Sequence, residues 1–324
     1  MLSRRLVLRG AASVALLHAQ AGPALAQSYP ARPITLIVPF AAGGFNDVIV
    51  RIVTAPMSKT LGVSIIVEND AGAGGTTATA RGAAAPADGY TLIAGSMGTH
   101  GAAPSQYPNL KYDPARDFTP IGLTAEAPAV LVTRKDFPAN TLAEFIDYLR
   151  KNASTVNEAH AGVGSQMHTY CTLLQSILGT KTARIAYRGG APAINDLVAG
   201  QVDFGCVSLN TVVSQIQGGT VKALAIAGPQ RAAVIGDVPT SAEAGLPAFQ
   251  VSGWNAIFAP RNLPRDIQAK LSDALARALE DAATAKRLEE IGCFIPARAD
   301  RTPAALQERV QQDVARWSSV LKRE

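Results

Sequence analysis

The chain is sparing with the side chains that most often do chemistry. It has three cysteines and four histidines in 324 residues, and one histidine, His18, falls in a stretch read below as removable. The rest, His100, His160 and His168, form no H-x-x-x-H or H-E-x-x-H pair, which excludes the usual helical zinc site. For each histidine a hydrogen-bonded structural role is the expectation. Cys171, Cys206 and Cys293 show no C-x-x-C spacing, and an odd number excludes complete pairing within the chain. Cys206, in the apolar run Val202 to Val207, reads as a small buried hydrophobe; one disulfide is open, its pair unassigned. There is no G-x-x-x-x-G-K-[ST] phosphate loop. Gly72-Ala73-Gly74-Gly75-Thr76-Thr77 lacks the last glycine of G-x-G-x-x-G. Neither Gly95-Ser96-Met97-Gly98 nor Gly162-Val163-Gly164-Ser165 completes the G-x-S-x-G elbow. Nucleotide binding and serine-elbow hydrolysis therefore have no support in spacing.

A large excess of charge is also missing. The first 26 residues read as an export signal: Ser3-Arg4-Arg5-Leu6-Val7-Leu8-Arg9 is the positive region, Ala11 to Leu17 the apolar one, and Ala24-Leu25-Ala26 the cleavage site. The apolar stretch is far shorter than the ~20 residues that cross a bilayer, so cleavage after Ala26 is expected rather than anchoring. The paired arginines suit a twin-arginine signal as well as a general secretory one. No cysteine follows the cleavage site, which argues against a lipid anchor. The signal takes three arginines with it, leaving 27 of the 30 basic residues against 25 acidic ones. That balance gives no reason to expect nucleic acid as a partner.

What the chain does have is glycine at the ends of apolar runs. Ala41-Ala42-Gly43-Gly44 follows Ile34 to Val38, and Ala71-Gly72-Ala73-Gly74-Gly75 follows Val63 to Val67. A strand that turns through glycine into a helix leaves backbone N–H groups free at the helix N-terminus, where the helix dipole also favours an anion. The plainer reading of one such turn alone is that glycine merely permits a tight turn. Two in series, without a catalytic signature, point to a binding protein.

The 298 residues left after the signal approach the size at which one core divides into two. Short apolar runs at 90–94, 129–133, 183–186, 202–206 and 221–227 alternate with helical patterns at 142–151, 165–178, 191–199 and 211–217. The alternation predicts α/β units with largely parallel sheets. From Pro264 a stripe of Ile267, Leu271, Leu275 and Leu279 predicts a surface helix. A last helix begins at Thr302-Pro303, an N-cap followed by proline. Turn-rich passages at Glu126-Ala127-Pro128 and Gly228-Pro229-Gln230 are the candidate borders, giving lobe 1 as 27–125 plus 229–324 and lobe 2 as 126–228.

Four polar turns follow predicted strands: Pro39 to Asn46, Ser96 to His100, Gly162 to His168, and Tyr187 to Gly190. Ligands of open α/β sheets bind outside the carboxyl ends of strands, so all four are expected on one cleft. Ser165 is a candidate N-cap that places Gln166 and His168 on the following first turn. Asp47 reads as structural, because a carboxylate there would repel an anion. Trp254 reads as core rather than cleft wall. A rival reading makes the chain an exported enzyme acting on a carboxylated substrate, with Ser96 or Ser165 and His100 or His168 as the reactive pair.

The order of short motifs extends these observations. Tyr29-Pro30-x-Arg32-Pro33-Ile34, Val38-Pro39-Phe40-Ala41-Ala42-Gly43-Gly44-x-x-Asp47 and Val67-Glu68-Asn69-x-x-Gly72-Ala73-Gly74-Gly75 come first. Pro86-Ala87-Asp88-Gly89-Tyr90-Thr91-Leu92, Tyr112-Asp113-Pro114-x-x-Asp117-Phe118, Gly200-Gln201-Val202-Asp203 and Asp237-Val238-Pro239-Thr240-x-x-Glu243-Ala244-Gly245-Leu246-Pro247 follow. This series resembles the Bug-type receptors of tripartite tricarboxylate transporters over nearly the whole chain after the signal. The resemblance implies an α/β, two-lobed, type II periplasmic-binding-protein-like fold with a hinge and an interlobe cleft. It implies a periplasmic, non-catalytic, monomeric receptor without cofactor or metal, which takes a small organic carboxylate and feeds separate membrane permease subunits. Carried over by position, the ligand would meet Phe40, Ala41, Ala42, Gly43, Gly44 and Asn46, with Ser96 and Thr99 in support. The facing lobe would bring Gly164, Ser165, Gln166, His168, Gly189 and Asn210. The chain departs from the family pattern at Phe45-Asn46, where a small residue and then Ser or Thr are usual, and at Val207-Ser208.

Overall fold

The computed structural model describes residues 29–321; the expected export signal lies outside them. Strand β1 (Ile34–Val38) runs parallel to β2 (Ile65–Asn69) on one side and to β3 (Thr91–Ser96) on the other. Helix α1 (Phe45–Leu61) connects β1 to β2, burying Ile49, Val50, Val53 and Met57 against the sheet; it continues through Pro56. Helix α2 (Thr76–Ala83) leads to β3, and the short α3 (Ala103–Gln106) follows it.

The chain then enters β4 (Phe118–Arg134), a single strand of 17 residues. Its first part, Phe118 to Pro128, pairs antiparallel with β9 (Ser252–Pro260), which in turn pairs antiparallel with β3. Its second part, Ala129 to Arg134, pairs antiparallel with β7 (Phe204–Ser208) and β8 (Val221–Ile226). Beyond β7 lie β5 (Asn157–His160) and β6 (Ala183–Ala186), both in parallel pairings. The sheets are therefore mixed, not largely parallel: each half has a parallel flank, and antiparallel strands join them. The expected turn at Glu126 to Pro128 is instead the middle of β4, with Ala125 and Ala127 fully buried.

In the second half, α4 (Leu142–Asn152), α5 (Gln166–Leu178), α6 (Gly190–Val198) and the short α7 (Val213–Gln217) cover the sheet. Thr141 caps α4 and Ser165 caps α5, each hydroxyl accepting from a backbone N–H three residues on. After β8 the chain stays with this half for some distance, since Ile235 and Val238 share a core cluster with Val130, Val202 and Ile226. The last segment returns to the first half. Helix α8 (Arg265–Glu280) buries Leu271, Leu275 and Leu279 of the predicted stripe, and α9 (Ala282–Glu290) follows directly. Helix α10 (Pro303–Leu321) starts at the expected proline, with the Ala305 N–H donating to the Thr302 hydroxyl at 3.2 Å.

Candidate functional site

The carboxyl ends of β1, β3, β5, β6 and β7 face one another across the gap between the two halves. A cleft there of about 400 Å³, including its open mouth, is lined by residues of both. Phe40, Gly44, Phe45 and Asn46 come from the β1–α1 turn and Ser96 from the end of β3. Ala161, Ser165, Gln166 and Met167 come from the β5–α5 turn, Gly190 from the start of α6, and Ser208 and Thr211 from the end of β7. Helices α1, α5 and α6 thus all begin at this cleft, with N-caps Gly44, Ser165 and Gly189. The first N–H groups of a helix have no partner within it, so three sets of donors and three positive dipole ends converge here.

No carboxylate lines the cleft among the described residues. Asp47, on the first turn of α1, turns away: it accepts from the Gly43 N–H, from Arg51 Nε and from Asn69 Nδ2, each near 2.9 Å. Burial pushes its carboxyl up, but the bonds from Arg51, Gly43 and Asn69 outweigh burial and hold it below the ordinary aspartate value. Asp47 therefore braces the β1–α1 turn, as its place in the sequence suggested. Three buried polar atoms belonging to residues of this region have no hydrogen-bond partner: Asn46 Nδ2, Gln166 Oε1 and Asn210 Oδ1.

Of the residues carried over by position, Phe40, Gly44, Asn46, Ser96, Ser165 and Gln166 line the cleft together. Four more serve contacts between the halves. The Ala41 N–H donates to the Arg188 carbonyl at 3.3 Å, and Gly189 packs against Ala41. Asn210 Nδ2 donates to the Phe45 carbonyl at 3.4 Å, and Gly164 lies under the Tyr107 ring. Ala42 and Gly43 are exposed, and a Cβ on Gly43 would come within 3.5 Å of Ala191 on the other half. Thr99 and His168 point elsewhere. Thr99 closes a capping box with Ser96, its side chain also 3.0 Å from His100 Nδ1. The His168 ring lies 4.8 Å from the His160 ring, with its Nε2 3.5 Å from Arg184 Nη1. Phe45, Ser208, Thr211, Met167, Ala161 and Gly190 complete the lining without having been among those candidates. Arg188, the one cation in the four turns, is exposed and lines a neighbouring pocket, beside Gly74, that shares Phe40 and Ala161 with the cleft.

The rival Ser–His pairs do not assemble. His100 is fully buried and stacks on Phe258 with ring centroids 4.1 Å apart. Burial lowers its pKa to about 3, so it stays neutral. His168 is lowered to about 3 by burial, then by His160 and Arg184. Among the described residues neither Ser96 nor Ser165 bonds a histidine ring; the Ser165 hydroxyl accepts from the His168 backbone N–H. All three cysteines are free thiols and buried, and Cys171 Sγ accepts from the Cys206 N–H at 3.0 Å. Trp254 is fully buried core, its indole N–H donating to Asp313 Oδ2 at 2.6 Å.

Comparison with known proteins agrees with this architecture. The chain is similar to MatC of Rhodopseudomonas palustris, solved with bound malate: 44% identity, TM-score 0.88, 90% of this chain and 100% of that one covered. It is similar to the periplasmic binding protein BugD: 38% identity, TM-score 0.87, coverage 91% and 98%. An R. palustris protein solved with adipate gives 32% identity, TM-score 0.86, and coverage of 91% and 97%. These neighbours place the two halves as the lobes of a periplasmic-binding-protein fold. Residues 49–324 match the tripartite tricarboxylate transporter family receptor, and the chain belongs to that family.

Proposed function

We propose that the protein is a periplasmic receptor that closes its two lobes on a small organic carboxylate and presents it to the membrane permease of a tripartite-type transporter. The observation that carries the reading is the convergence of three helix N-termini on one cleft that no acid lines. Relatives solved with malate and adipate support the ligand class. Recognition rests on backbone N–H groups, Ser96, Ser165, Gln166 and Asn46, supported by Asn210 across the cleft. Hydrogen bonds to a charged group contribute roughly 1.5–3 kcal/mol each. Four or five reach micromolar affinity after ordering losses.

The proposed borders put lobe 1 at 27–125 plus 229–324 and lobe 2 at 126–228, with Ile235 and Val238 of the returning segment reaching back into the lobe 2 core. The receptor is a monomer, begins at Gln27 after cleavage behind Ala26, and releases its ligand unchanged. Intact mass of the exported protein checks the cleavage. A thermal-shift screen of mono-, di- and tricarboxylates beside their neutral amides, sugars and basic amino acids tests the function. Stabilisation by an acid and not by its amide is the expected result; stabilisation only by sugars or cations overturns the proposal. Recovery of a chemically altered ligand after binding overturns the non-catalytic reading.

A further inference from the structure

Gln166 and Ser208 both line the cleft, and both are joined from behind by a residue that does not. Gln166 Nε2 lies 2.8 Å from the Tyr170 hydroxyl, and that hydroxyl lies 3.5 Å from Ser208 Oγ. All three side chains are buried: Gln166 is 6% exposed, Ser208 2% and Tyr170 0%. Gln166 Oε1 has no partner. Gly253 closes the back of the chain, where a Cβ would overlap both the Gln166 amide and the Tyr170 hydroxyl. Burial holds the Tyr170 phenol far above its ordinary pKa, so it keeps its proton.

A phenol with one proton between an amide and a hydroxyl gives the chain two directions. In one, Gln166 donates to Tyr170 and Tyr170 to Ser208. The cleft then faces a carbonyl acceptor on Gln166 and an O–H donor on Ser208. In the other, Ser208 donates to Tyr170 and Tyr170 to a rotated Gln166. The cleft then faces an N–H donor on Gln166 and an acceptor on Ser208. Either way the wall presents one donor and one acceptor together. A ligand group that only accepts leaves the wall's acceptor unpaired in a buried place, which is unfavourable. A hydroxyl both donates and accepts, and it fits both directions. An ammonium only donates, and with no acid lining the cleft it would lose its hydration without a counter-charge.

We propose that the Gln166–Tyr170–Ser208 chain selects a hydroxyl on the captured acid, making hydroxycarboxylates the preferred ligands over their deoxy and amino counterparts. The inference rests on the carboxylate-receptor reading and narrows it. Tyr170 acts as a positioning residue, through Gln166 and Ser208, and does not touch the ligand.

The test is calorimetric titration with matched acids: lactate and propionate, malate and succinate, citrate and tricarballylate, with aspartate as the amino counterpart of malate. The hydroxy member of the pair that fits is expected to bind at least about tenfold more tightly than its deoxy partner. Tyr170→Phe is expected to bring that ratio to within about threefold. A purely structural loss would weaken both members alike and keep the ratio. Should Tyr170→Phe fail to fold, Ser208→Ala, which deletes the other end of the chain, carries the same comparison. Equal binding of hydroxy and deoxy acids by the unaltered protein overturns the inference and leaves the carboxylate reading standing. So does a ratio that survives in the folded variant, or aspartate binding as tightly as malate. Failure of every acid to bind overturns the carboxylate reading itself.

Discussion

The Tyr107 hydroxyl, carried by the first lobe, lies 2.6 Å from the carbonyl oxygen of Val163 on the second and 2.8 Å from that of Ala73 on its own. One phenolic proton between two acceptors makes Tyr107 a clasp at the cleft mouth in the closed arrangement. Together with Ala41–Arg188 and Asn210–Phe45 it gives three polar ties between the lobes close to the ligand site.

Tyr107→Phe removes the O–H without altering the ring. A neutral hydrogen bond contributes about 0.5–1.5 kcal/mol, so affinity for a captured acid should fall by roughly two- to twelvefold. The change should show as faster ligand release. Stopped-flow dissociation measures it, and an unchanged release rate would remove Tyr107 from the closed state.

Gly74→Ala should act more strongly. Gly74 has φ +60°, and a Cβ there would run into the Val163 carbonyl and come within 2.9 Å of the Tyr107 hydroxyl. The second glycine turn thus allows the lobes to meet. With alanine the lobes should stay apart and ligand affinity should drop by about tenfold or more, on the order of 1.4 kcal/mol. Small-angle scattering checks the cause: saturating ligand should shrink the radius of gyration of the unaltered protein and not of the variant.

The buried histidines set a direction for acid sensitivity. His100 and His168 are held neutral, each lowered to about 3, chiefly by burial. Their folded values lie below the ordinary value of 6.5, so unfolding takes up protons as the pH drops below it. Their contribution to stability is complete above pH 6.5 and is lost as pH falls towards 3. Urea midpoints at pH 7, 6, 5 and 4 should decline across this window. The decline should be shallower in His100→Gln, which keeps a neutral polar group beside Thr99. An identical slope in the variant would refute the assignment to His100.

Trp254→Phe separates core from cleft. The change deletes a buried hydrogen bond to Asp313, itself 5% exposed, and leaves a void. A loss of about 2 kcal/mol is expected, seen as a drop of several degrees in Tm, with ligand affinity within about twofold. A large loss of affinity at unchanged Tm would instead make Trp254 a cleft wall.

Much of this molecule could be read from residue order. Ile34 to Val38, Thr302-Pro303 and the stripe from Ile267 to Leu279 each carry a local pattern that packing did not override, whereas Ala183 to Ala186, expected as a short buried strand, forms a strand that is largely exposed at the sheet edge. The first part of β4 and all of β9 escaped for a shared reason. Glu126 and Pro128 look like a turn, and Asn255 looks like a surface residue. Thr124 and Asn255 are nonetheless fully buried, the Thr124 hydroxyl donating to Asn255 Oδ1 at 2.6 Å. Two polar residues that satisfy each other inside a sheet erase the apolar signal of the strands that carry them. The same logic applies at the site. Gly44, Asn46, Ser96 and Ser165 sit at strand-to-helix turns, which sequence marks well. His168 and Thr99 sit a few positions further on, and helical rotation carries their side chains away from the ligand. Ser208 ends an apolar strand and Thr211 lies just beyond it, with no glycine after the strand to flag them; the resemblance points to this stretch only through Asn210 and the departure at Val207-Ser208.

The long strand β4 has one more consequence. Because its 17 residues hold backbone partners in both lobes, neither sheet can be dismantled without exposing the edge of the other. The two halves are thereby tied into one melting unit, and one cluster of buried side chains, with Trp254 and Phe258 of the first half beside Phe145 and Phe204 of the second, runs through both. The same continuity makes the connection between lobes an ordered ribbon, not a slack tether. For the closing motion proposed above, this ribbon leaves the lobes few relative orientations, and little of the ligand's binding energy would be spent on removing disorder before the cleft shuts.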